Sequence, residues 1–179
     1  MARSLRHRLL LLVSASILVL LGVVNGLAVD ATSAAVVGVE GTSPEAAGRY
    51  LVVVGGCNDC HTPGYAAGAV PESEWLVGSP VGFRGPWGTS YASNLRLAAD
   101  ALTEDEWAAR LHGSGLPPMP WAATAALTEA DARAVHRYLR TLGPAGAPAP
   151  RAVPPGAEPA TPYVDFSPQH LERLAVAAE

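Results

Sequence analysis

Residues 57–61 read Cys57-Asn58-Asp59-Cys60-His61, and these two cysteines are the only ones in 179 residues. Two thiols three positions apart cannot staple a fold, so a disulfide framework is excluded. The same spacing followed by histidine is the attachment pattern of a c-type haem. Each thiol can form a thioether to one of the porphyrin's two vinyl arms, and the next residue then delivers an imidazole to one face of the iron. A zinc site on Cys57, Cys60 and His61 would need a fourth ligand, and no further cysteine exists to supply it. A thioredoxin-like redox pair would need a βαβ surround that this chain does not show. The motif therefore predicts a chain folded around one covalently attached haem.

The surrounding pattern agrees with a centre supplied from outside. Three segments between residues 43 and 142 carry helix punctuation. Ser43 can cap and Pro44 takes the first helical position of a helix through Glu45, Ala46 and Ala47. The Val52-Val53-Val54 run that follows reads locally as a strand. Thr103 with Glu106 makes a capping box, Leu102 and Trp107 a hydrophobic staple, and the helix stops at Gly113. From Thr128 to Leu142, Val135, Tyr138, Leu139 and Leu142 follow the helical apolar template, with Asp131 at the box position. Arg133, Arg137 and Arg140 take the opposite face, and Gly143-Pro144 ends the helix. Residues 62–101, rich in Gly and Pro, show no clear period, which is unusual in a small domain unless the segment wraps something. Three helices in about a hundred residues also need added apolar material at the centre.

One methionine remains besides Met1. Met119 stands in Leu116-Pro117-Pro118-Met119-Pro120-Trp121. The prolines restrict the backbone and hold a thioether in one place at low entropic cost, so Met119 is the candidate second iron ligand. His112 at a helix end and His136 on the arginine face compete for that role, as does an open site. The second ring nitrogen of His61 is expected to donate to a backbone carbonyl, with Pro63 or Pro71 as the source.

The ends of the chain are different in kind. Arg3, Arg6 and Arg8 precede sixteen uncharged residues, Leu9 to Val24, and Gly26-Leu27-Ala28 offers a small-x-small cut site. Residues 1–28 read as a signal peptide or an N-terminal anchor. Both readings export the rest of the chain to the periplasm or the outer face of the cytoplasmic membrane. Residues 29–42 read as a linker, 43–143 as the functional domain and 144–179 as a Pro-rich tail. Eight of the 16 prolines lie after residue 143, yet the tail also holds Tyr163, Val164 and Phe166, which predicts that it is pinned to the body. Ser167-Pro168 is expected to open a short helix over Gln169–Ala178.

Charge narrows the partners. All 12 basic residues are arginine against 16 acids, a net charge of −4, which leaves no basic stripe for nucleic acid. Neither GxxxxGK[ST] nor GxGxxG occurs, so nucleotide-dependent chemistry is not indicated. Membrane contact is expected only through the N-terminal segment, should it stay uncleaved.

From Ser43 to Gly143 the chain resembles the class I (monohaem) cytochromes c, above all the single-haem domains of exported cytochrome subunits of membrane-bound dehydrogenases. The likeness rests on Gly48-Arg49-Tyr50-Leu51 before Gly56-Cys57 and Cys60-His61-Thr62. It continues through Gly88-Thr89-Ser90-Tyr91-Ala92-Ser93-Asn94-Leu95, Pro118-Met119-Pro120, and Leu127-Thr128-Glu129-Ala130-Asp131 to Leu142. It implies an all-α class I cytochrome c fold, three main helices wrapped around the haem. It implies also that the Val52-Val53-Val54 run is helical and that the last helix packs across the first. Trp87, Tyr91 and Asn94 become candidates for propionate contacts and Arg84 a charge partner. Where those subunits string three haem domains together, this chain has one motif, and its tail lies outside the pattern.

The function so implied is electron transfer without catalysis. Cys57 and Cys60 would hold one haem c, with His61 and Met119 as axial ligands. Protein redox partners are then expected, a dehydrogenase as donor and an oxidase or other cytochrome as acceptor. Two alternatives stay open: a haem enzyme or gas sensor with a displaceable methionine, and a fixed electron-transfer subunit of a larger oxidoreductase.

Overall fold

The computed structural model describes residues 38, 39 and 41–171. The leader read over 1–28 lies outside the described residues, as do most of the linker and residues 172–178 of the expected terminal helix. Residues 169–171 are described and are not helical. Among the described residues no helix is long and apolar enough to cross a membrane.

Helix α1 spans Pro44–Val54, opened by Ser43, whose hydroxyl accepts from the Ala46 N–H at 3.2 Å. The valine run is helical, although β-branched residues favour strands, because Val52 goes into the core with no exposed surface. Gly56, at φ 66°, turns the chain through the left-handed region into α2, Cys57–His61. Two single 3₁₀ turns follow, at Tyr65–Ala67 and Glu72–Glu74.

The segment without period then makes a hairpin and a helix that the sequence pattern does not announce. Strands β1 (Gly82–Gly85) and β2 (Gly88–Tyr91) pair antiparallel, with Phe83 opposite Ser90. Helix α3, Leu95–Ala101, is capped by the Asn94 side chain. Helix α4 (Glu104–Leu111) carries the full Thr103–Glu106 capping box, with His112 rather than Gly113 as its C-cap. A short α5 (Trp121–Ala125) precedes α6, Glu129–Leu142. Thr128 caps α6 through the Asp131 N–H, but the Asp131 carboxylate accepts from Val39 N–H at 2.8 Å and leaves the box unclosed.

The described part of the tail belongs to the same compact unit as the body. Strand β3 (Tyr163–Asp165) joins β1 in parallel, giving a small sheet in the order β2-β1-β3. Phe166 packs edge-on against Phe83, with ring centroids 5.9 Å apart. The aromatics of the tail do pin it, and they add a sheet to the all-α expectation. Strands of three or four residues, joined by Gly85-Pro86-Trp87-Gly88 rather than an Asn-Gly type turn, leave little alternation to read.

The core lies where α1 crosses α6, closed by Trp75, Leu76 and Trp107 around Val52, Val135, Tyr138 and Leu139. His136 is on this side. It is 6% exposed, its Nε2 bonded to the carbonyls of Ala99 and Leu102 at 3.0 Å each. Its expected place on the arginine face is corrected: position 136 sits one turn from Ala132 and beside Val135, within the apolar arc. The arginines themselves bridge outward, Arg137 to Glu104 at 2.8 Å, Arg133 to Asp105 and Arg140 to Asp100.

Arg96 locks the C-terminal end of α6. Buried to 6% exposure, it donates to the carbonyls of Gly143 at 2.5 Å, Ser73 at 2.7 Å and Leu142. Among the described residues no carboxylate pairs with it; two orphan carbonyls at the negative end of the helix and the Ser73 carbonyl do. Leaving such carbonyls unpaired costs about 1–3 kcal/mol each. Arg96→Met is therefore expected to destabilise by about 3 kcal/mol or more in urea unfolding, and Arg96→Lys to recover only part, since an ammonium cannot span three acceptors.

Candidate functional site

The site begins where α1 ends. Cys57 and Cys60 are both half-buried and unbridged. Burial, with the Asp59 carboxylate beside it, pushes the Cys57 thiol up to about 11. Burial, with Asp59, also raises the Cys60 thiol. Both sulfurs are thus protonated at neutral pH, the opposite of the low-pKa thiolate that a reactive redox pair uses. Among the described residues no three His, Cys, Asp or Glu side chains are grouped to hold a metal ion. The two thiols and the imidazole therefore do not converge as a chelate, which removes the geometric basis of the zinc reading.

His61 is held on two sides. Its carbonyl accepts from Gly78 N–H at 2.8 Å, and its Nδ1 is 2.7 Å from the Ser93 carbonyl oxygen. Ser93, rather than Pro63 or Pro71, supplies the expected carbonyl. A carbonyl only accepts, so Nδ1 carries the proton and Nε2 the lone pair. Burial lowers the His61 pKa, against the opposing pull of Ser93, so the ring is neutral at pH 7. Nε2 has no hydrogen-bond partner among the described residues. The base beneath it is rigid: Thr62 donates to Asn58 Oδ1 at 2.6 Å and accepts from Leu76 N–H at 2.8 Å.

Met119 is half-buried in a loop tied at several points. Ser90 Oγ donates to the Pro117 carbonyl, linking the loop to β2. Trp121 N–H donates to the Met119 carbonyl at 2.9 Å, and its indole N–H to the Leu116 carbonyl at 3.2 Å. The Arg110 guanidinium covers the Trp121 ring at 4.8 Å. The backbone at Met119 is therefore fixed while no bond claims its side chain.

The competing histidines are held by other groups, His112 through both ring nitrogens and His136 through Nε2 alone, its buried Nδ1 having no hydrogen-bond partner. His112 Nε2 lies 3.0 Å from the Leu127 carbonyl and its Nδ1 3.3 Å from Glu129, and His136 Nε2 is spent on α3 and the turn before α4. The residues suggested for propionate contacts have other partners. Trp87 donates to the Phe83 carbonyl at 3.2 Å, Tyr91 meets Thr161 at 2.9 Å, and Asn94 donates to Ala145 at 2.7 Å. Arg84 pairs with Glu158 at 2.8 Å and Tyr163 at 2.7 Å. Three of these four bind the tail.

No family model, no curated protein and no solved structure matches the chain. The chemistry of the donor set remains as the test of fit. Two protonated free thiols, then a neutral imidazole with Nδ1 tied and Nε2 open, suit a covalently attached haem. They do not suit a dithiol redox centre, which works through a low-pKa thiolate.

Proposed function

We propose that the chain is an exported monohaem c-type cytochrome of class I fold, carrying single electrons between a dehydrogenase and a respiratory acceptor. The observation that supports it best is His61: buried, neutral, anchored through Nδ1 to Ser93 and open at Nε2, directly after a pair of free thiols. A haem bound there supplies a one-electron couple at its iron.

The residues divide the work. Cys57 and Cys60 anchor the group through thioethers, so that it is not lost between turnovers. His61 ligates through Nε2, and the Ser93 carbonyl sets its tautomer and increases its basicity. Met119 would supply a soft thioether as the second iron ligand, which would favour the reduced iron and raise the potential. With His61 and Met119 both holding the iron, no position would be left for a substrate, and electron transfer is what would remain. The exposed Tyr163, Val164, Phe166 and Leu171 favour a second reading, in which this apolar surface seats the protein permanently on a larger oxidoreductase.

Optical spectra of the oxidised and reduced protein, repeated under CO, test the proposal. The expected result is a low-spin iron with a methionine–iron charge-transfer band and no response to CO. High-spin iron or ready CO binding would move the reading to an enzyme or gas sensor with a displaceable Met119.

A further inference from the structure

The tail after Gly143 returns across one corner of the body, and that corner is the one that holds His61. Asn94 is 4% exposed and both ends of its amide are used. Oδ1 accepts from Leu97 N–H at 3.0 Å as the cap of α3, while Nδ2 donates to the tail carbonyls of Ala145 at 2.7 Å and Ala147 at 3.2 Å. One residue earlier is Ser93, whose carbonyl accepts from His61 Nδ1. From the far side Gly78 presses on the same peptide. A Cβ at Gly78 would stand 2.7 Å from the Asn94 nitrogen and 2.9 Å from the Ser93 carbonyl carbon. Gly78 thus packs on the Ser93–Asn94 peptide, and the tail holds the Asn94 side chain that follows it.

Capping alone does not require an amide, since Ser, Thr and Asp cap as well. Asn alone among the capping residues carries, apart from its capping oxygen, an NH2 group with two donors to give elsewhere. The tail is shaped to receive them. Gly146, between the two accepting residues, adopts φ 72°, and a Cβ there would lie 3.2 Å from both Asn94 Nδ2 and Val77 Cβ. Beyond this contact a cleft of about 360 Å³ opens between Tyr91, Ser93 and Leu97 on the body and Pro148–Pro150 on the tail. Hydrogen bonds, more than apolar packing, hold the tail to this corner.

We infer that the Pro-rich tail is a strap that positions His61, with Asn94 as the positioning residue through which it acts. A stiff, proline-rich strap loses little entropy on docking, and the two hydrogen bonds to Asn94 add to the hold that β3 and the Thr89–Val153 pair give the rest of the tail. Its hold on Asn94 keeps the Ser93 carbonyl aimed at Nδ1, and the strength of that bond sets how basic the imidazole is. The consequence for the iron rests on the proposed haem ligation; the relay itself belongs to the chain.

Two full-length variants approach the relay from opposite sides. Asn94→Ser keeps a capping oxygen and removes both donors to the strap. Gly146→Val leaves Asn94 intact and drives the strap off with a side chain the backbone cannot accommodate. In both, exchange of the His61 Nδ1–H proton, followed by NMR, is expected to quicken at least tenfold. The reduction potential is expected to rise as the less basic imidazole supports oxidised iron less well. Unchanged exchange and potential in both variants would overturn the inference. So would an effect confined to Asn94→Ser, which would place its cause in the capping of α3. A chain that is purified folded yet holds no haem would sink the electron-transfer reading alone, and the exchange measurement would then be made on that folded chain.

Discussion

Gly48→Ala is expected to destabilise the protein by about 3 kcal/mol or more, against the ordinary preference for alanine in helices, which would favour the change by about 1 kcal/mol. The two effects have opposite signs, so geometry decides between them. A Cβ at Gly48 would lie 2.0 Å from the Ala134 carbonyl oxygen, 2.5 Å from its carbon and 2.9 Å from the Val135 nitrogen. All three are backbone atoms of α6, so no rotamer can yield and the two helices must separate. Separation opens the packing of Val52 against Val135 and Leu139, and total stability in a domain of this size is only about 5–15 kcal/mol. Gly48→Val is expected to leave little folded protein. Urea unfolding followed by circular dichroism measures both. A Gly48→Ala midpoint equal to the parent's would show that the helices do not meet at this distance. The same change would displace Cys57, three residues beyond the end of α1.

The helices are readable because their ends carry side-chain chemistry: Ser43-Pro44, Thr103 with Glu106, and Thr128 each close a cap that the structure contains. The valine run of α1 is readable only through the family likeness, since local propensity points to a strand and burial against α6 overrides it. His136 misleads because the neighbouring Arg137 suggests a polar face, while its own ring finds two backbone carbonyls inside. The hairpin and its partner strand are hidden by length, and by register with a tail more than seventy residues away in sequence. At the site, Cys57, Cys60 and His61 announce themselves by spacing and Met119 by its isolation among prolines. The Ser93 carbonyl does not, because a backbone oxygen leaves no trace in residue type. Asn94 stands out in the sequence, but for a different partner from the two tail carbonyls it has.

Met119→Ala is expected to produce the largest change in the redox chemistry. On the proposed ligation, removing the thioether would leave His61 as the one iron ligand, open the iron to water and CO, and lower the potential. The fall is expected to be a substantial part of the roughly 0.8 V over which axial ligands tune haem proteins. The direction follows from softness: a thioether stabilises reduced iron, and water or hydroxide in its place stabilises the oxidised form. The fold should survive. Ser90, Trp121 and Arg110 hold this loop by its backbone and by the Trp121 ring, and none of those contacts uses the Met119 side chain. Potentiometry and CO titration of the variant read the two consequences separately, and unfolding in urea checks that the loop has kept its place. A variant with the parent's spectrum, potential and indifference to CO would remove Met119 from the iron. His112 is held through both ring nitrogens, so the buried, unpartnered Nδ1 of His136 and an open iron would then be the readings to separate by the same CO titration.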